Sequence, residues 1–204
     1  MRVIEKTIFK FDELDDSAKE RAREYVRTNW LTESERFDCV VDDAVTIGAL
    51  MGVEVDSRTW TNTFGHSGKT PRIYFDLYRR DCAVNASYKY AKGAVDAVRK
   101  YAPQDEEVNR IAAGLAIIQR RNFYQLRATM ACGRNTDQKV DVIRYDEKEV
   151  DDSTVDELAE LLKDFSYWIL RQLEKEDEYQ NSNEAVDEML VNGEYEFYEN
   201  GDIF

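Results

Sequence analysis

The sequence predicts an α+β fold, an antiparallel or mixed sheet packed with about five helices, the longest of them acidic and C-terminal. Three observations carry this. Runs rich in β-branched and aromatic residues recur between residues 53 and 145. Apolar residues at helical spacing surround and interrupt those runs. From Thr154 to about Tyr179, the residues Val155, Leu158, Leu161, Leu162, Phe165, Trp168, Ile169 and Leu173 trace one wide apolar face. With 204 residues, 43% of them hydrophobic, and no repeat or Gly/Ser/Pro-rich linker, the chain reads as a single domain over 1–204.

Taken in order, residues 2–11 alternate Val3, Glu5, Thr7, Phe9, Phe11 against Ile4, Lys6, Ile8, Lys10, the pattern of an opening strand. Asp12 or Asp15 offers an N-cap to a helix from 15 to 30, with Leu14, Ala18, Ala22, Tyr25 and Val26 inward. Ser34 can cap a second helix that buries Phe37, Val40, Val41, Ala44, Val45, Ile47 and Leu50 and stops at Gly52. Residues 53–63 favour a strand, 64–71 a glycine-containing loop, and 73–78 and 82–90 two strands joined by the turn Arg79-Arg80-Asp81. A helix over 92–101 ends at Ala102-Pro103, because the residue before proline avoids the helical region. Asp105 caps the next, striped by Val108, Ile111, Ala112, Leu115 and Ile118. Residues 123–132 and 139–145 form a strand pair. After the long helix, a short one over 183–191 ends on Asn192-Gly193. The chain closes with Tyr195–Tyr198 and an Asn200-Gly201 hairpin turn.

Charge is unevenly spread. The net charge is -14, yet residues 66–145 carry 15 basic and 8 acidic side chains, whereas residues 146–204 carry 4 basic and 20 acidic ones. A basic central sheet is therefore followed by a strongly acidic C-terminal region. On the long helix Asp152, Asp156, Glu160 and Asp164 recur every four residues. That step rises about 6 Å, close to the phosphate spacing along one nucleic-acid strand. Glu174, Asp177 and Glu178 extend the negative surface. Such a strip suits a cationic groove that normally holds DNA or RNA, and these seven carboxylates are the candidate partner-binding residues.

Catalytic and metal motifs fail on inspection. Gly65-His66-Ser67-Gly68-Lys69-Thr70 ends like a phosphate loop, but Thr63 stands where the loop's first glycine belongs, and Pro71 follows where a helix should begin. His66 is the only histidine, and Cys39, Cys82 and Cys132 lie far apart without a CxxC pair, so no metal site, cofactor or cysteine nucleophile is expected. The basic middle mixes Arg72, Arg79, Arg80, Lys89, Lys92, Arg99, Lys100, Arg120, Arg121, Arg127, Arg134 and Arg144 with Tyr74, Tyr78, Tyr88, Tyr90 and Tyr124, a composition that can also hold nucleotides or single strands. Mean hydropathy is -0.65, no apolar run reaches bilayer length, and Met1–Lys6 lacks the apolar core of a signal peptide. The expectation is a cytoplasmic protein with free thiols and no membrane partner.

Phe11-Asp12-Glu13-Leu14 with Ala18-Lys19-Glu20-Arg21-Ala22-Arg23 resembles a common opening among small acidic accessory proteins of phages, prophages and plasmids. Ala102–Glu107, Gln119–Ala128, Glu184–Leu190 and the Tyr195-Glu196-Phe197 ending resemble the same family. This chain departs from it at Asp76–Asp81, where relatives carry a Gly/Ser-rich loop. The resemblance implies a mobile-element protein acting in a bacterial host, of the anti-CRISPR or anti-restriction kind, and it supplies no catalytic residue. The resulting expectation is a non-catalytic inhibitor that occupies the nucleic-acid groove of a host defence complex, does not itself bind nucleic acid, and leaves a homodimer open. Two other readings stand beside it: an antitoxin-type protein masking a toxin, and a nucleotide- or nucleic-acid-binding protein using the basic sheet.

Overall fold

A computed structural model describes residues 6–29, 36–133 and 137–204. Along the chain run β1 (Phe9–Lys10), a 3-10 turn (Phe11–Glu13), α1 (Asp16–Asn29), α2 (Asp38–Met51), β2 (Val53–Val55), β3 (Ser57–Thr61), β4 (Ser67–Pro71), β5 (Ile73–Asp76), β6 (Asp81–Val84) and β7 (Ala86–Lys89). There follow α3 (Ala94–Tyr101), α4 (Glu106–Arg121), β8 (Leu126–Cys132), β9 (Gln138–Arg144), α5 (Asp152–Asn181), α6 (Asn183–Asn192) and β10 (Glu196–Phe197). All strand pairs are antiparallel, so the fold is α+β, with six α-helices among the described residues. The contacts gather into two compact units, one made of Met1–Asp38 with Lys175–Phe204, the other of Cys39–Glu174.

In the first unit, β1 pairs with β10, Phe9 opposite Phe197. The opening strand is shorter than its alternation predicts. Val3, Ile4 and Glu5 lie outside the described residues, and after Lys10 the chain turns, with the Lys10 amide donating to Glu13 Oε2 at 2.7 Å. Asp15, not Asp12, caps α1, accepting from the Ala18 amide at 2.8 Å. Leu14, Ala18, Ala22 and Val26 form one cluster with Phe11, Val186, Leu190 and Phe197. Tyr25, expected inward, is exposed, because Val26 one step round the helix takes the core position. Arg23 ties α1 to α6 by donating to both Asp187 oxygens, at 2.6 and 2.7 Å. The Asn200-Gly201 turn folds Ile203 back against Phe197, and Gly201 sits at φ +89°.

In the second unit, β2-β7-β8-β9 make a four-stranded sheet, while β3-β4 and β5-β6 are two-stranded. The three small pieces meet at a junction. The Asp56 amide donates to the Asn85 carbonyl, Asn85 to Arg72 and Arg72 back to Asp56, at 2.8, 2.9 and 2.8 Å. At each of these residues an extended segment exchanges one partner for another. Residues 53–55 pair with β7 but 57–61 with β4; residues 67–71 pair with β3 but 73–76 with β6. This corrects three expectations. Residues 53–63 are two strands parted at Asp56, 82–90 are two strands parted at Asn85, and 67–71 are a strand, not part of a loop. β5 and β6 are paired through a short turn as expected, but it spans residues 77–80, so Leu77 and Tyr78 leave the expected strand and Asp81 joins β6 opposite Asp76. Ser34, the expected cap of α2, lies outside the described residues. On α2 itself Ala44, Ile47 and Met51 are buried, while Val40, Val41, Val45 and Leu50 are half-buried.

Helices supply the core behind the sheet. Asp105 caps α4 through Val108 N–H at 3.0 Å, and its other oxygen accepts from Trp168 Nε1 at 2.7 Å, so one carboxylate fixes α4 against α5. Val108, Ile111, Ala112, Leu115 and Ile118 are all buried, as are Leu158, Leu162, Phe165, Trp168, Ile169 and Leu173. Strand alternation aims Val53, Ala86, Tyr88, Leu126, Ala128 and Met130 inward and leaves Glu54, Ser87, Lys89, Arg127, Thr129 and Ile143 exposed. Two glutamine amides then act as additional peptide units. Gln119 bonds both the carbonyl and the amide of Leu126 (2.8 and 3.3 Å), and Gln138 does the same for Val84 (3.1 and 2.7 Å).

Candidate interaction surface

The seven candidate carboxylates divide into two groups. Asp152, Asp156, Glu160 and Glu178 are exposed and form no ion pair among the described residues. The other three are held within the fold: Asp164 by Arg110 at 2.6 Å, Glu174 by Arg80 at 2.8 Å, and Asp177 by Arg36 at 2.8 Å. The free row therefore spans the first turns of α5 and ends where Arg110 meets Asp164. The residue just before the row, Asp151, has a structural role. Asp151 caps the helix, accepting from the Thr154 hydroxyl at 2.8 Å and the Thr154 amide at 2.9 Å, bonds that hold its carboxyl below the usual range. Asp151 and Asp152 both face the positive end of the helix dipole. Beside this end lies a hollow of about 380 Å³ lined by Val142, Ile143, Val150 and Val155 with the acidic Glu147 and Glu149 and the basic Arg144 and Lys148.

The basic middle is neutralised in place only in part. Arg79 pairs with Asp76 (3.6 Å), Lys89 with Glu54 (2.6 Å), Arg121 with Glu157 (3.1 Å) and Arg144 with Asp146 (2.9 Å). Arg144 is the main reason that the Asp146 carboxyl drops to about 2. Arg127 lies over the Tyr145 ring at 3.0 Å, and Tyr88 is core. Lys92, Arg99, Lys100 and Arg120 stay exposed, while Arg134 lies outside the described residues. Grouped by unit, the charges fall differently than along the chain. Cys39–Glu174 carries 19 basic and 22 acidic side chains, whereas the other unit carries 9 and 20. The long helix thus begins in a nearly balanced unit, and most of the excess charge belongs to the other one.

The thiols occupy three different environments. Cys82 is buried, and burial pushes its thiol up to about 12; Cys39 is exposed and Cys132 half-buried. A thiol raised that far is the reverse of an activated nucleophile. Treatment of the folded protein with iodoacetamide at pH 8 is expected to alkylate Cys39 and spare Cys82 until denaturant is added. Mass spectrometry of the tryptic peptides reads this directly, and early labelling of Cys82 would contradict its burial. No group of three or more His, Cys, Asp or Glu side chains among the described residues is arranged to hold a metal ion.

The profile of a domain of unknown function, DUF8835, matches residues 37–183. The chain belongs to this family. No curated protein and no solved structure matches the chain. The DUF8835 region takes in α2 to α5 and all the strands from β2 to β9, and so includes the whole Cys39–Glu174 unit. It also contains all seven candidate carboxylates and the hollow beside the free row. Outside DUF8835 lie α1, β1, β10 and all but the first residue of α6. No helix among the described residues is long and apolar enough to cross a membrane.

Proposed function

We propose that the chain is a non-catalytic, cytoplasmic binding protein that presents the free carboxylate row of α5 to the cationic groove of a nucleic-acid-handling partner. Its biological setting is then the mobile-element counter-defence role, anti-CRISPR or anti-restriction, that the sequence resemblance implies. One observation carries the reading: Asp152, Asp156 and Glu160 stand exposed on successive turns without an ion-pair partner among the described residues, although arginines elsewhere in the same unit are tied to carboxylates. Carboxylates left free in this way are available to outside cations. The hollow beside them adds Val142, Val150 and Val155, against which the aliphatic stem of a partner's arginine or lysine can pack. The basic-sheet reading is weaker, since Arg79, Arg80, Lys89, Arg110, Arg121 and Arg144 already have carboxylate partners.

The test is a pull-down from host lysate at low salt, with the wild type and the variant Asp152→Lys/Asp156→Lys/Glu160→Lys. The wild type is expected to retain a nucleic-acid-binding complex that elutes as salt rises. The variant is expected to bind about tenfold or more weakly, at a few tenths to one kcal/mol for each exposed charge contact before repulsion is added. Its melting temperature should fall by no more than a few degrees, since Asp152→Lys opposes the helix dipole. Equal retention by both proteins overturns the proposal.

A further inference from the structure

Residues 57–75 contain no acidic side chain, in a chain with 42 of them. That stretch holds the β3–β4 ribbon, in which Arg58, Lys69 and His66 are the titratable side chains. Every residue of β3 is exposed, so both faces of the ribbon meet solvent. The ribbon is also stiffened. Trp60 lies across Gly68, where an added Cβ would come within 2.6 Å of the indole ring, so the glycine makes room for the ring. Register places Arg58 on the Trp60 face, and Thr59, Thr61, Ser67 and Lys69 on the other.

The tip is built to hold one aromatic side chain outward. Asn62 Oδ1 accepts from the amides of Phe64 and His66 at 3.0 and 2.9 Å, and the Asn62 amide donates to the His66 carbonyl at 2.8 Å. Gly65 takes the left-handed conformation that closes the turn, at φ +83°. Phe64 is left 86% exposed on this fixed loop. An apolar ring held in water at the end of a cationic, hydroxyl-rich ribbon has little to contribute to the fold's own core.

We propose that the β3–β4 ribbon is a DNA-binding arm that enters a groove of duplex DNA, with Phe64 as a wedge against a base step and Arg58 and Lys69 on the flanking phosphates. Two antiparallel strands fit the major groove, and an apolar side chain wedged between base pairs can unstack them, as minor-groove binders do from the opposite groove. The hydroxyls of Thr59, Thr61 and Ser67 supply neutral donors to phosphate oxygens. The choice of duplex DNA over RNA follows from shape, since the A-form major groove is too deep and narrow for side chains to read. A net charge of -14 argues against DNA binding only if the whole chain acts as one charge. A five-residue strand reaches about 17 Å, about twice the screening length at physiological salt, so charges at the ribbon's root are largely screened at its tip. The inference goes beyond the proposed function and does not rest on it, because its residues are separate from the α5 row.

The experiment is fluorescence anisotropy of a labelled 20-base-pair DNA duplex titrated with the full chain at 50 to 200 mM salt. Weak binding is expected, with a slope of log K against log salt of about -2, at roughly -0.9 per phosphate contacted. Arg58→Ala and Lys69→Ala should each reduce the slope by about one. Phe64→Ala should weaken binding about tenfold with the slope unchanged, because a stacking contact releases no counterions. All three side chains are exposed, so circular dichroism should show the fold intact. The triple lysine variant of α5 should leave the ratio between wild type and Phe64→Ala unchanged, which separates this test from the preceding one. The proposal is overturned by absence of binding at 50 mM salt, by binding that none of the three ribbon substitutions alters, or by Phe64-dependent binding to phosphatidylglycerol vesicles without binding to the duplex.

Discussion

Replacing Gln138 by methionine is expected to destabilise the Cys39–Glu174 unit by about 4 kcal/mol, at roughly 1–3 kcal/mol for each buried polar group left without a partner. The side chains are close in volume, so the loss is one of hydrogen bonds and not of packing. Gln138 Oε1 accepts from the Val84 amide at 2.7 Å and the Ser166 hydroxyl at 2.8 Å. Its Nε2 donates to the carbonyls of Val84, Ala131 and Lys139 at 3.1 to 3.2 Å. Val84 is wholly buried and Ser166 nearly so, so water cannot replace what the glutamine supplies. Urea unfolding reads the effect as a lowered midpoint with an unchanged slope. Adding Ser166→Ala to the methionine variant should recover part of the loss, because the orphaned hydroxyl is then gone, and the double-mutant cycle reports that coupling. A loss below about 1 kcal/mol would show that the amide is dispensable.

Gly52→Ala is expected to cost about 3 kcal/mol or more, combining left-handed backbone strain with a backbone collision. Gly52 ends α2 at φ +88° and turns the chain into β2. A Cβ there would lie 2.0 Å from the Lys89 carbonyl oxygen, and 3.2 Å from Ala91 Cβ. The obstacle is backbone that no rotamer change can move aside. It is also in use, since the Lys89 amide donates to the Gly52 carbonyl at 3.0 Å. Gly93 provides the control. It has φ +78° and nothing within 4 Å of an added Cβ, so Gly93→Ala carries the conformational cost of about 1–2 kcal/mol alone. The difference between the two variants in thermal or urea unfolding measures the collision. Equal losses would mean that the β7 end moves freely.

The helices α4 and α5 and the β8–β9 pair were legible because each carries its own pattern over many residues. Asp105 before Val108, and the stripe from Leu158 to Leu173, need no distant partner to be recognised. The three-way junction was not legible. Asp56, Arg72 and Asn85 are ordinary polar residues in sequence, and only their mutual hydrogen bonds show that each segment exchanges partners there. β4 was hidden for a different reason. Ser67-Gly68-Lys69-Thr70-Pro71 has the composition of a loop, and only the backbone ladder to β3 makes it a strand. For the candidate surface, the four-residue acidic step was plain on the helix. Which carboxylates stay free was not, because Asp164, Glu174 and Asp177 are taken by arginines 54, 94 and 141 residues away.

The ring of hydrogen bonds among Asp56, Arg72 and Asn85 has a consequence for how this fold can diversify. All three are backbone bonds, and the Asn85 side chain adds one of its own, its Oδ1 accepting from the Cys132 amide at 2.8 Å, so the ring itself places little demand on the side chains of Asp56 and Arg72. The ribbon leaves it through Ser57 and returns through Pro71, one residue from the ring on each strand. Residues can then be inserted or deleted in matched pairs across that hairpin without altering the ring or the four-stranded sheet behind it. Each added pair carries the tip outward by about 3.3 Å. The junction thus separates heritable change in reach from heritable change in stability, and among relatives the arm is expected to vary in length while its root keeps its geometry.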